Sequence, residues 1–366
     1  MGIFSLKPDP VVGIDISTTA IKLLELSRTG KSYKVETYGV EPLPEDIIVD
    51  KNLNEAKENA MEIVGEAIAR LVARTKPKAR HAAIAVAGPA VITKVITMDG
   101  GMTDSDMKEQ IEGDAEQYLG SPADELNLDF QVLGPNEKEP ERMDILLAAS
   151  RTENIDNRLE LLEIGGLKTK VVDIEKYALE NALLMVAQNE QEIHEEDTIA
   201  LIEIGASVTS LSVMSKQRIV YSQEEMFGGK QLTDEIRSTY SISYEEANLA
   251  KRYEGDFTLP EGYESEILEP FKVEITQQIS RMVQYYYSME ASSKYGKLTH
   301  IILSGGTTCI PGILELVKNK VGGSISLVNP FSAMNVSTRV SKKALMNDAP
   351  ALMIACGLAL RNFDEH

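Results

Sequence analysis

Residues 11–26, VVGIDISTTAIKLLEL, and residues 199–214, IALIEIGASVTSLSVM, are built to one pattern. Each is an apolar strand that reaches a single carboxylate, Asp15 or Glu203. Each then breaks into small or hydroxylated residues (STTA, GASV) and turns apolar again. The two acids stand about half a chain apart in 366 residues. A strand, acid, turn and strand repeated at half-length fits a chain of two or more domains. The length agrees, because it exceeds what one hydrophobic core usually supports.

The segments around these repeats alternate between strand and helix patterns, which indicates an α/β architecture. IKLLEL and KVETYGV extend the first repeat as strands, and a helical pattern covers about 52–75 with Ala56, Ile63, Ala67 and Leu71 near helical spacing. Residues 81–98 form two strands broken by the turn pair Gly88-Pro89. Thr103 to Asp106 form a helix N-cap region. Strands at 124–133 and 143–149 and a helix through RTENIDNRLELLEIGG complete a unit spanning about 81–166. After the second repeat come a helical block at 232–255, a long helix near 267–294, strand HIILSGG, helix PGILELVKNKV and an apolar helix in APALMIACGLALRNF. Of Tyr285, Tyr286 and Tyr287, a helix wall is expected to bury one or two.

Charge and residue counts narrow the function. With 57 acidic against 37 basic residues the net charge is −20, which argues against nucleic acid and against direct anchoring on anionic lipid. Two cysteines and four scattered histidines make neither a disulfide framework nor a zinc site. MGIFSLKPDP lacks the features of a secretory signal, and Leu6 occupies the place where a myristoylation signal wants Ser or Thr. No stretch offers the roughly 20 apolar residues of a membrane span. A cytoplasmic protein with borrowed membrane association is expected.

The repeats carry the chemistry. A strand ending in an acid and followed by a tight turn of small residues exposes backbone N–H groups that cradle phosphate oxygens. The acid holds Mg²⁺ through water, as magnesium commonly keeps several waters. In the first copy Ser17, Thr18 and Thr19 add donors and Lys22 lies just beyond the turn. In LSGGTTCIPGILELV, Gly305 and Gly306 let a flat ligand lie directly on the backbone. Two hairpins facing across a cleft would clamp a polyphosphate.

In this order and spacing the three segments resemble the actin-like ATPase superfamily, which includes actin, the Hsp70 ATPase domain, MreB and FtsA. GIDIS is similar to the first phosphate motif with Asp15, LIEIGAS to the second with Glu203, Gly205, Ala206 and Ser207, and SGGTTCIPG to the adenosine motif with Gly305, Gly306 and Thr307. ALMIACGLAL resembles the second connecting helix, where Ala355 and Gly357 permit close packing at the hinge. The resemblance implies an actin-like (ribonuclease H-like) duplicated α/β ATPase fold, two lobes with ATP and Mg²⁺ between them, Asp15 and Glu203 serving the metal through water. Lys251 matches a ribose-contacting lysine, while Asn248 stands where relatives have an acid. Glu175 matches an acid that orients the attacking water in MreB-like proteins.

The insert at 81–166 resembles the extra subdomain of FtsA-like proteins. It interrupts a first lobe of 1–80 (completed by 167–197 and 336–366), which is followed by a second lobe of 198–230 (completed by 297–335) with a helical subdomain at 231–296. FtsA ends in a membrane-targeting helix and the type II secretion L protein continues into a transmembrane helix. This sequence ends at RNFDEH, shortly after Gly357. The GIDIS…KLLEL opening and GASVTSLSV are most similar to the PilM family of type IV pilus assembly. That resemblance implies a scaffold needed for pilus biogenesis and twitching motility. Its partner would be the N-terminal cytoplasmic tail of PilN, bound between the first subdomain and the insert, with other pilus proteins and self-association left open. A filament-forming actin homologue and a small-molecule kinase of the same superfamily are the alternatives. The second motif of relatives usually reads Asp-Ile-Gly-Gly-Gly. Glu203 reaches one methylene further, and Ala206 resists the positive φ that glycine allows, so slow turnover is expected.

Overall fold

The computed structural model describes residues 10–49, 51–87, 90–190, 192–251 and 262–363. The Gly88-Pro89 turn, the first nine residues and the last three lie outside them.

The first repeat opens as β1 (Val11–Ile16), β2 (Ala20–Thr29) and β3 (Ser32–Pro42), an antiparallel meander. A short hairpin, β4 (Ile48–Val49) and β5 (Asn52–Leu53), precedes α1 (Ala60–Thr75). The helical pattern expected from 52 therefore starts eight residues late, because Asn52 and Leu53 pair back onto β4. β6 (His81–Val86) then runs parallel to β1.

The insert consists of β7 (Val91–Asp99), α2 (Asp104–Gly113), α3 (Ala115–Leu119), β8 (Leu126–Pro135) and β9 (Arg142–Arg151). Thr103 caps α2 in a reciprocal box with Asp106, as the sequence predicts. The sheet order is β7-β9-β8, with Met107 and Ile111 of α2 and Leu119 of α3 packed on Ile96, Met98, Ile145 and Leu147.

α4 (Thr152–Ile164) and β10 (Lys168–Ile174) return the chain to the first sheet, whose full order is β10-β6-β1-β2-β3 with β16 (Asn335–Val336) at its edge. The boundary placed at 81–166 is thus corrected at both ends. β6 lies inside the first sheet, and Leu161 and Leu162 of α4 join the core of α1. Both assignments depend on pairing with distant segments, which local patterning does not reveal.

After α5 (Glu175–Asn189), the second repeat forms β11 (Ile199–Ile204), β12 (Thr209–Ser215) and β13 (Arg218–Glu225). The helices α6 (Gly229–Tyr240), α7 (Tyr244–Lys251), α8 (Glu269–Ser288) and α9 (Glu290–Tyr295) follow. The long helix expected near 267–294 breaks where Met289 takes an extended backbone. Tyr286 is fully buried on α8, whereas Tyr285 and Tyr287 are exposed. β14 (His300–Ser304), α10 (Ile313–Val321), β15 (Ser324–Leu327), α11 (Lys342–Asp348) and α12 (Met353–Leu360) close the chain.

The second sheet runs β13-β12-β11-β14-β15. Its meander and two parallel strands repeat the β3-β2-β1-β6-β10 order of the first sheet. The repeat seen in the sequence is a repeat of topology.

Strand alternation then decides where the acids point. Val12, Ile14 and Ile16 face α1 and α4, while Val11 joins a central core with α5 and α12. Ala200, Ile202 and Ile204 face α6 and α8, while Ile199 and Leu201 join that same central core. Asp15 and Glu203 fall in step with Val11 and with Ile199 and Leu201. Both acids therefore project into the layer between the two sheets. α12, every residue of it buried, lies in that layer. Gly13 and Gly357 allow the contact: a Cβ on Gly13 would stand 2.4 Å from the Ala355 carbonyl oxygen, and one on Gly357 would stand 1.7 Å from that of Ala178 on α5.

Candidate functional site

The first hairpin presents Asp15 at the end of β1, opposite Lys22 on β2. The Lys22 ammonium donates to Asp15 Oδ2 at 2.8 Å, and both side chains are largely buried. Burial alone would lower the Lys22 pKa. The attraction and hydrogen bond of Asp15, then Glu203 and Glu175, outweigh that and hold it above its usual value. Between the strands, Ser17 closes the turn by donating from both N–H and Oγ to the Ala20 carbonyl. Thr18 and Thr19 remain partly exposed.

The second hairpin carries Glu203 beside Ser304 of β14 in parallel register. Burial raises the Glu203 pKa, Lys51 and Lys22 oppose the rise, and Glu175 and Asp15 add to it. Ser304 Oγ is buried with no hydrogen-bond partner among the described residues. A buried polar atom left without a protein partner fits a bound water or ligand.

Three further segments meet this hairpin. Gly229 and Lys230, at the start of α6, donate their N–H groups to the carbonyls of Gly205 and Ala206 at 3.0 and 2.7 Å. Thr307 Oγ1 donates to the Gly205 carbonyl at 2.7 Å. Lys251 donates to Gly229 O (3.2 Å) and to Thr233 Oγ1 (2.8 Å). The Thr233 hydroxyl also lies 3.3 Å from Asn248 Oδ1. Asn248 thus supports the Lys251 site indirectly. Gly228 and Gly229 were not singled out in the sequence, although the FGGK string was visible. The reason for them is contact: a Cβ on either would come within 2.6 Å of Gly205 and Ala206 or of Thr307.

Charged pairs cross the cleft. Lys51, next to β5 of the first lobe, donates to Glu175 Oε2 at 2.7 Å and lies 3.7 Å from Glu224 Oε1 of β13 in the second. Glu45 of the first lobe accepts from Arg237 at 2.9 Å and Lys230 at 3.3 Å, both on α6.

The structure places Asp15, Ser17, Thr18, Thr19, Lys22 and Glu175 on the first lobe and Glu203, Gly205, Ala206, Ser207, Lys251, Gly305, Gly306 and Thr307 on the second, and it modifies several expected roles. Gly305 has φ +91°, and a Cβ there would sit 2.3 Å from the Ile204 carbonyl oxygen. Its bareness serves the strand beside it. Gly306 is exposed, with Ala351 Cβ at 3.9 Å as the nearest neighbour, so it is the glycine on which a ligand can lie. Thr307 spends its hydroxyl tying two loops together. Ala206 does not take a positive φ, so the strain expected there is absent. Glu175 heads α5 with its carboxylate held by Lys51. Among the described residues no three Asp, Glu, His or Cys side chains converge to hold a metal directly.

Two half-domains of identical strand order, with paired acids facing one layer and α5 and the buried α12 between them, define the duplicated actin-like fold. Within that class, the model of the family described as "Type IV pilus assembly protein PilM" matches residues 13–363, and the chain belongs to that family. The solved structure named "PilM-PilN type IV pilus biogenesis complex" superposes with a TM-score of 0.75 at 24% identity, covering 97% of this chain and 99% of that one. The ethanolamine utilization protein EutJ of Escherichia coli K12 is 23% identical over 44% of this chain and 49% of its own. The cell division protein FtsA of Bacillus subtilis 168 is 23% identical over 59% of this chain and 54% of its own. The chain thus spans about half the length of the curated relatives it matches.

Proposed function

We propose that this chain is an actin-like scaffold of type IV pilus assembly that holds Mg-ATP between its lobes and docks the cytoplasmic tail of a PilN-type membrane protein. One observation carries the nucleotide half: both repeats aim an acid and a small-residue turn into the same layer, with Lys22 beside the first acid. The first turn, Gly205 to Ser207 and the open backbone at Gly306 suit phosphates and a flat base, with Lys251 and Gly229 beside them. Asp15 and Glu203 would hold the hydrated magnesium, which when bound offsets phosphate charge. No helix among the described residues is long and apolar enough to cross a membrane by itself, in keeping with attachment through a partner.

For the tail, the insert supplies an exposed apolar strip. Val95 on the edge strand β7 is 54% exposed and sits opposite Leu146, on the face away from α2 and α3. An edge strand with apolar neighbours suits an added peptide strand. Vesicles of anionic lipid displaying a PilN-tail peptide should carry the protein on flotation, and bare vesicles should not. Val95→Asp should weaken that binding by about tenfold or more, as expected of an anchor residue. Flotation on bare vesicles would overturn indirect attachment, and an unaffected variant would move the peptide elsewhere.

Hydrolysis should be slow. The attacking water and terminal phosphate must be aligned, and misplacement near 1 Å costs roughly 10²-fold. Glu203, one methylene longer than the usual Asp, displaces the hydrated metal and the phosphate from that alignment. Single-turnover rates should rise in Glu203→Asp and stay unchanged in Ala206→Gly, because Ala206 is not strained. Brisk wild-type turnover that Glu203→Asp does not improve would refute this reading.

A further inference from the structure

No phosphate motif includes Lys51, yet the fold fixes this residue with unusual care. Its backbone sits in the left-handed region at φ 64°, which side-chain-bearing residues adopt at a cost. Its carbonyl accepts a hydrogen bond at 3.0 Å from Arg158 Nη2. Arg158 is almost completely buried on α4, and its Nε donates to the Ala85 carbonyl at 3.1 Å. Burying a guanidinium is expensive and lowers its pKa. Here it anchors the neighbouring turn to β6. The Lys51 ammonium then lies between Glu175 of the first lobe and Glu224 of the second.

A surface ion pair between flexible side chains gains little and needs no such support. What the support does is hold one ammonium at a set place beside Glu175 and Glu224, as a second cation apart from the Lys22–Asp15 pair. Glu203, the acid of the second hairpin, acts electrostatically on both lysines. Two cations flanking the space between two phosphate turns suit a phosphate chain read at both ends.

Resting on the nucleotide reading above, we propose that Lys51 is a phosphate-binding residue of this cleft that contacts the terminal phosphate of a nucleoside triphosphate, with Arg158 as its positioning residue. Lys22, tied to the first hairpin, serves the inner phosphates. Lys51 therefore sets the preference for a triphosphate over a diphosphate. Glu175 and Glu224 hold the ammonium in place before a ligand arrives, and a phosphate would compete with these carboxylates for it.

Isothermal titration of Mg-ATP and Mg-ADP into wild type, Lys51→Gln and Lys51→Arg tests this without any hydrolysis readout. Lys51→Gln should weaken ATP by about tenfold or more and leave ADP nearly unchanged, so that the preference collapses. Lys51→Arg should retain most of it, because the charge is kept. Equal weakening of both nucleotides, or no change in either, would overturn the role and leave Lys51 as an interlobe ion pair. Wild type that binds neither nucleotide would refute the nucleotide reading itself, and this role with it.

Discussion

Gly357→Ala should lower stability by about 3 kcal/mol or more, which is the upper part of the range for overpacked cores. The reason is that the added methyl meets backbone. Its carbon would stand 1.7 Å from the Ala178 carbonyl oxygen, 2.4 Å from the carbonyl carbon and 2.9 Å from the Cα. None of these can rotate away as a side-chain tip would, so α12 and α5 must separate. Separation is resisted on the other face of α12, where Gly13 of β1 packs directly against the Ala355 carbonyl. The sign is opposite to the ordinary helix effect, in which replacing Gly by Ala adds up to about 1 kcal/mol. Gly113 at the end of α2 has nothing within 4 Å of a built Cβ and provides the control. Denaturant midpoints should fall sharply for Gly357→Ala and stay level or rise for Gly113→Ala. A Gly357→Ala midpoint equal to wild type would mean that the two central helices do not meet as described.

The second large effect concerns ligand-induced stabilisation. A ligand at 100 times its dissociation constant adds about 2.7 kcal/mol to the folded state. Asp15→Ala should abolish that gain with Mg-ATP, since it removes one of the two acids and frees Lys22 from its partner at 2.8 Å. It should also lower the basal melting temperature, because a largely buried ammonium left unpaired is costly. The informative quantity is therefore the shift on adding nucleotide, and a second variant is needed that leaves the core alone. Gly306→Val meets that need: the position is exposed, has no positive φ and has no close neighbour. It should melt like wild type without nucleotide and lose the shift with it. Gly305→Val would not serve, because its side chain collides with Ile204.

Much of this was legible in the chain itself, for a physical reason. A central strand flanked on both sides reads as a continuous apolar run. The one carboxylate in VVGIDI or IALIEI is then conspicuous, and alternation along the strand shows that it shares a face with particular core residues. Thr103 to Asp106 announced the start of a helix, and α12 announced its burial by composition. What escaped was set by distant partners. His81–Val86 reads equally well as insert or lobe until β1 and β10 are seen on either side of it. The leucines of α4 fit either core. Lys51 belongs to no motif, and only its backbone conformation and the buried Arg158 behind it mark it out. Gly305 and Gly306 look interchangeable in sequence, whereas a neighbouring strand on one side and open space on the other give them different tasks.

Binding of a magnesium nucleotide in the layer between the two repeats is tested by calorimetric titration of Mg-ATP into wild type and Gly306→Val. Saturable one-to-one binding to wild type and its loss in Gly306→Val are expected, with both proteins equally stable beforehand. No binding to wild type, or equal binding to both, would contradict it.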